Sequence, residues 1–260
     1  MLSTAATAQG VTHVPLRVMT YNIQYGGANL EATIATIKAV DPDLVALQEV
    51  DVHWGARSQF IDQAAVLAER LGLHVRIAPI YRLPGADPSA PPREFGVALR
   101  SKHPVTSFSN RLLTRHSTQA ETDAPAPAPG LLDATVEVHG APIRVLTTHL
   151  DHRPDSAVRS QQVREVLEVI GASTTPTLMF GDLNAAPTAP ELQPLLARLQ
   201  DCWPVSTDPG WTYPAVQPAE RIDYVLASPH FRVVAARVPD TNASDHRPVV
   251  VDLIVDSSRR

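Results

Sequence analysis

The chain has 260 residues, a net charge of −5, 44% hydrophobic and 19% charged residues. That balance belongs to a soluble globule with ample length for a core, as one large domain or two small ones. It excludes a general affinity for polyanions, the single Cys202 excludes an internal disulfide or a multi-cysteine metal site, and no run approaches the roughly 18 apolar residues of a membrane span.

The basic residues are nearly all arginine, with Lys38 and Lys102 the exceptions. Residues 1–14 are small and polar and lack the pattern of a signal peptide. They read as a flexible tail before a folded domain at 15–256. A cytoplasmic protein and a secreted one with its leader removed both fit.

Leu16 to Tyr21 reads as a strand. Leu30 to Val40 has helical spacing (Ile34, Ile37, Val40) and stops at Asp41-Pro42. Leu44 to Leu47 is a short apolar run, the mark of a strand covered on both faces. Phe60 to Leu71 predicts a second helix stopped by Gly72, and His74 to Pro79 a strand. Tyr81 to Pro92, rich in Pro, Gly and Asp, predicts a long surface loop, read foremost as an ordinary Pro-rich connection and otherwise as one that could dock a substrate or a membrane. Phe95 to Leu99 and Val105 to Ser109 read as a hairpin-like pair broken at Lys102-His103-Pro104. Ala124 to Gly130 alternates Ala and Pro and is expected to be a stiff connection without regular structure.

Leu131 to Val138 and Ile143 to Thr148 read as a hairpin around His139-Gly140. Ser156 to Ile170 is an amphipathic helix, and Thr177 to Phe180 another buried strand. Ile222 to Leu226, Phe231 to Val238 and Pro248 to Val255 complete the β content. About eleven strands with three or four helices predict an α/β fold of two mixed sheets packed together with helices outside. No linker separates two cores, so one domain is expected.

Four polar islands follow or end these apolar runs, and polar side chains there cost stability unless they do something. Asn22 ends the first strand and Glu49 follows Leu47. Asp182 and Asn184, two apart, offer a hard oxygen ligand and a neutral donor, and a simple turn explains them equally. Asp245 beside His246 pairs a metal ligand with a base, or marks a solvated loop. His149 ends a further strand, with His152 beyond it on the expected surface. Asp223 interrupts an apolar strand after Arg221, so it either orients an imidazole or pairs with that arginine.

In order and context the set resembles the endonuclease/exonuclease/phosphatase superfamily, which includes deoxyribonuclease I-like and exonuclease III-like phosphoesterases. The matching stretches are Met19-Thr20-Tyr21-Asn22-Ile23, Leu47-Gln48-Glu49-Val50, Thr148-His149-Leu150, Gly181-Asp182-Leu183-Asn184-Ala185-Ala186-Pro187, Arg221-Ile222-Asp223-Tyr224 and Ser244-Asp245-His246-Arg247-Pro248. The resemblance implies a four-layered α/β sandwich and a Mg²⁺- or Mn²⁺-dependent hydrolase of phosphate esters, with one or two ions. It implies metal ligands at Glu49, Asn22 and Asp245. His246 would act as base or phosphate holder oriented by Asp223, Asp182 would position or deprotonate water, and Asn184 and His149 would donate to phosphate oxygens. Gln24 departs from the pattern, since some nucleases carry an acidic ligand there. Arg57, Ser58, Arg159 and Gln162 sit where many bacterial members carry polar groups. Arg57 could reach a substrate phosphate, whereas Arg159 and Gln162 fit a solvated helix face equally.

The expected reaction is one-step, in-line attack by water, foremost on a phosphodiester, nuclease-like or small-molecule. Inositol-type phosphomonoesters and phospholipids are the alternatives, and nucleic acid stays open as a partner of an expected monomer. A catalytically dead scaffold would not keep so many costly carboxylates. The histidines include no His-Glu-x-x-His, which speaks against a zinc hydrolase.

Overall fold

A computed structural model describes residues 13–26, 29–72, 74–119, 124–203 and 208–256. The expected tail lies outside them up to residue 12. The described residues form β1 (His13–Asn22), α1 (Leu30–Val40), β2 (Leu44–Val52), α2 (Gln63–Leu71), β3 (His74–Leu83), β4 (Arg93–Ser101), β5 (Val105–Arg115), β6 (Ala126–Val138) and β7 (Ala141–His149). There follow α3 (Ala157–Ile170), β8 (Thr177–Asp182), α4 (Gln193–Arg198), β9 (Gln200–Asp201), β10 (Asp223–Ala227), β11 (Phe231–Arg237) and β12 (Val249–Asp256).

The strands make two six-stranded sheets, ordered β11-β12-β1-β2-β4-β3 and β5-β6-β7-β8-β10-β9. Only β1–β2 and β7–β8 pair in parallel, so both sheets are mixed and mainly antiparallel. Alternation along each strand sends one set of side chains between the sheets. Val18, Ala46, Leu99, Val136, Val145, Phe180 and Val251 meet in that shared core. The opposite set faces helices. Tyr21, Val45 and Leu47 pack under α1 and α2, while Leu146, Met179 and Leu226 pack under α3 and α4. The result is the four-layered α/β sandwich. No helix among the described residues is long and apolar enough to cross a membrane.

The helices start where their caps allow. The Asn29 side chain accepts from the Ala32 N–H at 3.0 Å, and Asp62 accepts from Ala65 at 2.8 Å. Gln59 and Phe60 have φ of +55°, so α2 begins at Gln63 instead of Phe60.

Three expectations fail. Tyr81 to Leu83 belong to β3, because they pair with Arg93 to Phe95 of β4; the surface loop begins only after Leu83. β4 and β5 form no hairpin. They lie in different sheets, and at the crossing Ser101 Oγ donates to the His103 carbonyl at 2.7 Å and Lys102 N–H to the Asp43 carbonyl at 2.9 Å. The Ala-Pro stretch is regular strand from Ala126 on. Pro127 and Pro129 pair with Thr114 and Leu112 of β5, whereas β7 joins β6 only from Leu131. This half of β6 has an open edge, where proline's missing N–H is tolerated. The hairpin at His139-Gly140 forms as expected, with Val138 opposite Ala141 and both turn residues at positive φ.

The shared core sets the stability scale. Phe180 is fully buried within it, while Phe108 lies on an exposed part of β5. Phe180→Ala should cost about 3–5 kcal/mol in urea denaturation, and Phe108→Ala less than about 1 kcal/mol. Equal losses would contradict the assignment of that core.

Candidate active site

The two parallel pairs, β1–β2 and β7–β8, end at the same rim of the sandwich, and every chemical island reaches that rim. Asn22 is the last residue of β1, His149 of β7 and Asp182 of β8; Asp223 is the first of β10. His149 stands opposite Asp182 in the parallel ladder, and Asp182 opposite Asp223 in the antiparallel one. Ser244 to His246 arrive just before β12.

Local backbone aims these groups. Between Leu47 and Val50 the β2–β4 register shifts, and Glu49 in that bulge has φ +59°. The bulge makes Glu49 the one partly exposed residue of a strand otherwise buried throughout. At Gly181 a Cβ would meet the Thr148 carbonyl at 2.3 Å, so only glycine lets β7 and β8 approach here. Asn184 has φ +50° and gives its N–H to Asp182 Oδ1 at 3.0 Å, so the turn and the site are one structure.

Asn22, 1% exposed, sits at the centre. Its Nδ2 donates to Glu49 Oε1 at 3.1 Å and to Asp182 Oδ2 at 3.0 Å. Its Oδ1 accepts the Gln24 N–H at 3.0 Å, and its carbonyl accepts from Ser244 Oγ at 2.7 Å. Asp182 Oδ2 also faces His149 Nε2 at 3.5 Å and His246 Nε2 at 3.6 Å. His246 Nδ1 meets Asp223 Oδ2 at 2.8 Å, and Thr212 Oγ1 donates to that same oxygen at 2.6 Å. The Tyr213 ring packs on His246 at 4.8 Å. Asp223 therefore orients the imidazole, while Arg221 goes to Asp201 at 2.7 Å.

Burial pushes the Asp182 carboxyl up, Asp223 adds to this, and the two histidines and Asn22 oppose it. Burial alone would lower His246, but Asp223, Asp182 and Asp245 outweigh it and raise the imidazole to about 10. Burial also raises Asp245, with the Glu49 carboxylate adding to the effect against His246.

Asp182, Asp223 and His246 place ligand atoms within 4.8 Å of one another, close enough to hold a metal ion. Asp223 Oδ2 already accepts from two donors and His246 Nδ1 is taken by Asp223, while Asp223 Oδ1 is buried with no partner among the described residues. Glu49 and Asp245 offer a second set of oxygens that could hold a hard divalent ion. They are two mutually repelling carboxylates on one cavity wall, and a cation relieves that repulsion. Asn22 Oδ1 keeps one lone pair beside its bond to Gln24. Together Glu49, His149, Asp182, Asn184, Asp245 and His246 line a cavity of about 500 Å³, to which no arginine or lysine among the described residues contributes.

Among the flanking residues, Arg159 and Gln162 depart from the solvated alternative. Arg57 binds Asp51 bidentately, Nε to Oδ2 at 2.9 Å and Nη2 to Oδ1 at 2.8 Å. Arg159 and Gln162 are buried, not solvated. Gln162 Oε1 accepts the Asp151 N–H at 2.9 Å, and Arg159 Nη1 donates to the Asp151 carbonyl at 3.0 Å, so together they pin the segment after His149. His152 is exposed as expected but reaches the cavity. Thr212 and Tyr213 went unsuspected. They lie in an irregular stretch with no local signal, and only the fold brings them to His246. Ser244 was visible within its motif.

A sequence profile of the endonuclease/exonuclease/phosphatase family matches residues 19–246. No curated protein matches the sequence. Among solved structures, an endonuclease/exonuclease/phosphatase from Beutenbergia cavernae is 30% identical, with a TM-score of 0.76 over 93% of this chain and 72% of that one. The catalytic domain of human nocturnin is 22% identical, with a TM-score of 0.67 over 96% and 99%. A mannosyl-6-phosphatase from Bacteroides thetaiotaomicron is 16% identical, with a TM-score of 0.64 over 92% and 99%. These last two likenesses show the fold. The family's members are metal-dependent phosphoesterases, and with the profile spanning every island of the site, this chain belongs to the endonuclease/exonuclease/phosphatase family of hydrolases.

Proposed function

We propose that the protein is a Mg²⁺- or Mn²⁺-dependent hydrolase of small phosphate esters, diesters foremost, acting by one in-line attack of water. The observation that carries this reading is the single cavity in which Glu49 and Asp245 face Asp182 and the His246–Asp223 pair. Glu49 and Asp245 would hold the ion, with Asn22 orienting Glu49. Once bound, the ion supplies positive charge to the phosphoryl oxygens.

The chain's own groups handle the proton and the oxygens. Asp182, pushed up by burial, is more basic than an ordinary carboxylate and accepts the proton of the attacking water. His246, held cationic by its carboxylate neighbours, donates from Nε2 to a phosphate oxygen. His149 donates to a second oxygen. Asn184 Nδ2 gives one hydrogen to the Leu150 carbonyl at 3.0 Å and keeps the other for the substrate. Glu49, Asp182, Glu220 and Asp245 all line the cavity, and among the described residues no arginine or lysine joins them. A singly charged diester meets less repulsion there than a doubly charged monoester. A nucleic acid would also need cations along its backbone.

Glu49→Gln, Asp182→Ala and His246→Ala should each lower kcat/KM on bis-p-nitrophenyl phosphate by about 100-fold or more, with the circular dichroism spectrum unchanged. Full activity in folded His246→Ala would sink the mechanism. EDTA should abolish turnover, and added Mn²⁺ or Mg²⁺ should restore it; undiminished turnover in EDTA would refute metal dependence.

The raised His246 pKa also links stability to pH. The folded value of about 10 exceeds the ordinary 6.5, so in EDTA-treated protein the stabilisation is complete below about pH 6.5. It is lost as the pH rises through about 10. The Tm gap between wild type and His246→Gln should shrink over that range, and a gap that widens instead would show that His246 is not held cationic.

A further inference from the structure

A second cavity, of about 250 Å³, adjoins the reaction centre and shares Glu49 and His149 with it. Its wall carries Trp54, Tyr81 and Phe95, packed ring on ring at 5.6 to 6.2 Å. Three guanidinium groups, Arg57, Arg115 and Arg153, line it as well.

Arg115 is the unusual one. It is 8% exposed, and among the described residues no carboxylate pairs with it. Nη1 donates to the His149 carbonyl at 2.7 Å; Nη2 donates to Thr148 Oγ1 at 2.9 Å and the Gly130 carbonyl at 3.1 Å. Its Nε–H is buried and has no hydrogen-bond partner among the described residues. Neutral oxygens do not neutralise a buried cation, and burial pushes this guanidinium down to about 10. The nearest acid on the wall, Asp151, is taken by Arg153 at 2.5 Å. Across the cavity, Asp51 holds Arg57 by Nε and Nη2, and the guanidinium lies over the Tyr25 ring at 4.3 Å. None of the described residues takes its Nη1, so a directed donor stands ready beside the aromatic wall.

Resting on the phosphoesterase reading, we propose that this cavity seats the leaving group of the substrate, a ring laid on Trp54 and Tyr81 that carries a second oxyanion, carboxylate or phosphate, toward Arg115 and Arg57. The reaction centre repels excess negative charge, and the adjoining cavity accepts it. The favoured substrate is then a small phosphate ester whose alcohol part is cyclic and itself anionic.

The test compares methyl phenyl phosphate with its 4-carboxyphenyl and 4-phosphonophenyl counterparts, using the Mn²⁺-loaded protein. Charge-assisted hydrogen bonds of ordinary strength predict kcat/KM at least about tenfold higher for an anionic leaving group. The carboxylate and phosphonate arms show which oxyanion fits. Arg57→Gln and Arg115→Gln should bring the ratio toward one, and because it is a ratio within each variant, a general loss of activity does not imitate the effect. Equal kcat/KM across the three esters, or a preference indifferent to both substitutions, would overturn the proposal and leave the phosphoesterase reading intact. If no ester is hydrolysed, that reading falls, and binding decides the cavity's role. Saturable quenching of tryptophan fluorescence by 4-carboxyphenylphosphonate, lost in Trp54→Phe, would support the anionic subsite; no saturable quenching would overturn it.

Discussion

The two hydrogens on Asn22 Nδ2 go to two carboxylates that belong to different sheets, Glu49 of β2 and Asp182 of β8. Each sheet alone would present a set of costly buried acids at its edge. Joined through one carboxamide, the acids take fixed places relative to one another, and the cavity between them acquires two chemically different walls. The wall from β2 and the approach to β12 offers Glu49 and Asp245, open and mutually repelling. The wall from β8 and β10 offers Asp182 and Asp223, buried and already bonded to imidazole or amide. In the proposed mechanism the first side holds the cation and the second moves and holds protons.

That division depends on backbone conformations that a regular sandwich would not adopt. Glu49 and Asn184 have positive φ, and Gly181 lets two strands approach closer than any side chain permits. Non-glycine residues at positive φ cost of order 1 kcal/mol or more and persist only where the surroundings enforce them. Here the surroundings are a shared core between two sheets and a helical layer outside each. The well-packed layers supply the stability that a strained, acid-rich rim consumes.

Much of this was legible along the chain, for definite reasons. Strands buried on both faces read as short apolar runs, so β2 and β8 were recognisable, and the polar residues that interrupt such runs stood out. Glu49, Asp182 and Asp223 were found that way, and His246 in the polar stretch before the last strand. What escaped depended on contacts distant in sequence. The Ala-Pro stretch looked irregular because only the register with β7 reveals that Pro127 and Pro129 lie on an open edge. β4 and β5 resemble a hairpin until the sheet order separates them. Gln162 and Arg159 look like surface residues of a helix, and they are buried because the segment after His149 folds back over them. Arg115 drew no attention in the sequence, and only the packing shows that no carboxylate among the described residues pairs with it.

The central claim is that the ion belongs to the Glu49 and Asp245 wall and the proton chemistry to the Asp182 and Asp223 wall. Calorimetric titration with Mn²⁺ of the wild type, Glu49→Gln and Asp223→Asn tests it most directly. The account predicts saturable binding in the wild type, its loss in Glu49→Gln and its retention in Asp223→Asn. Binding that survives Glu49→Gln and vanishes in Asp223→Asn would place the ion among Asp182, Asp223 and His246 and contradict the account.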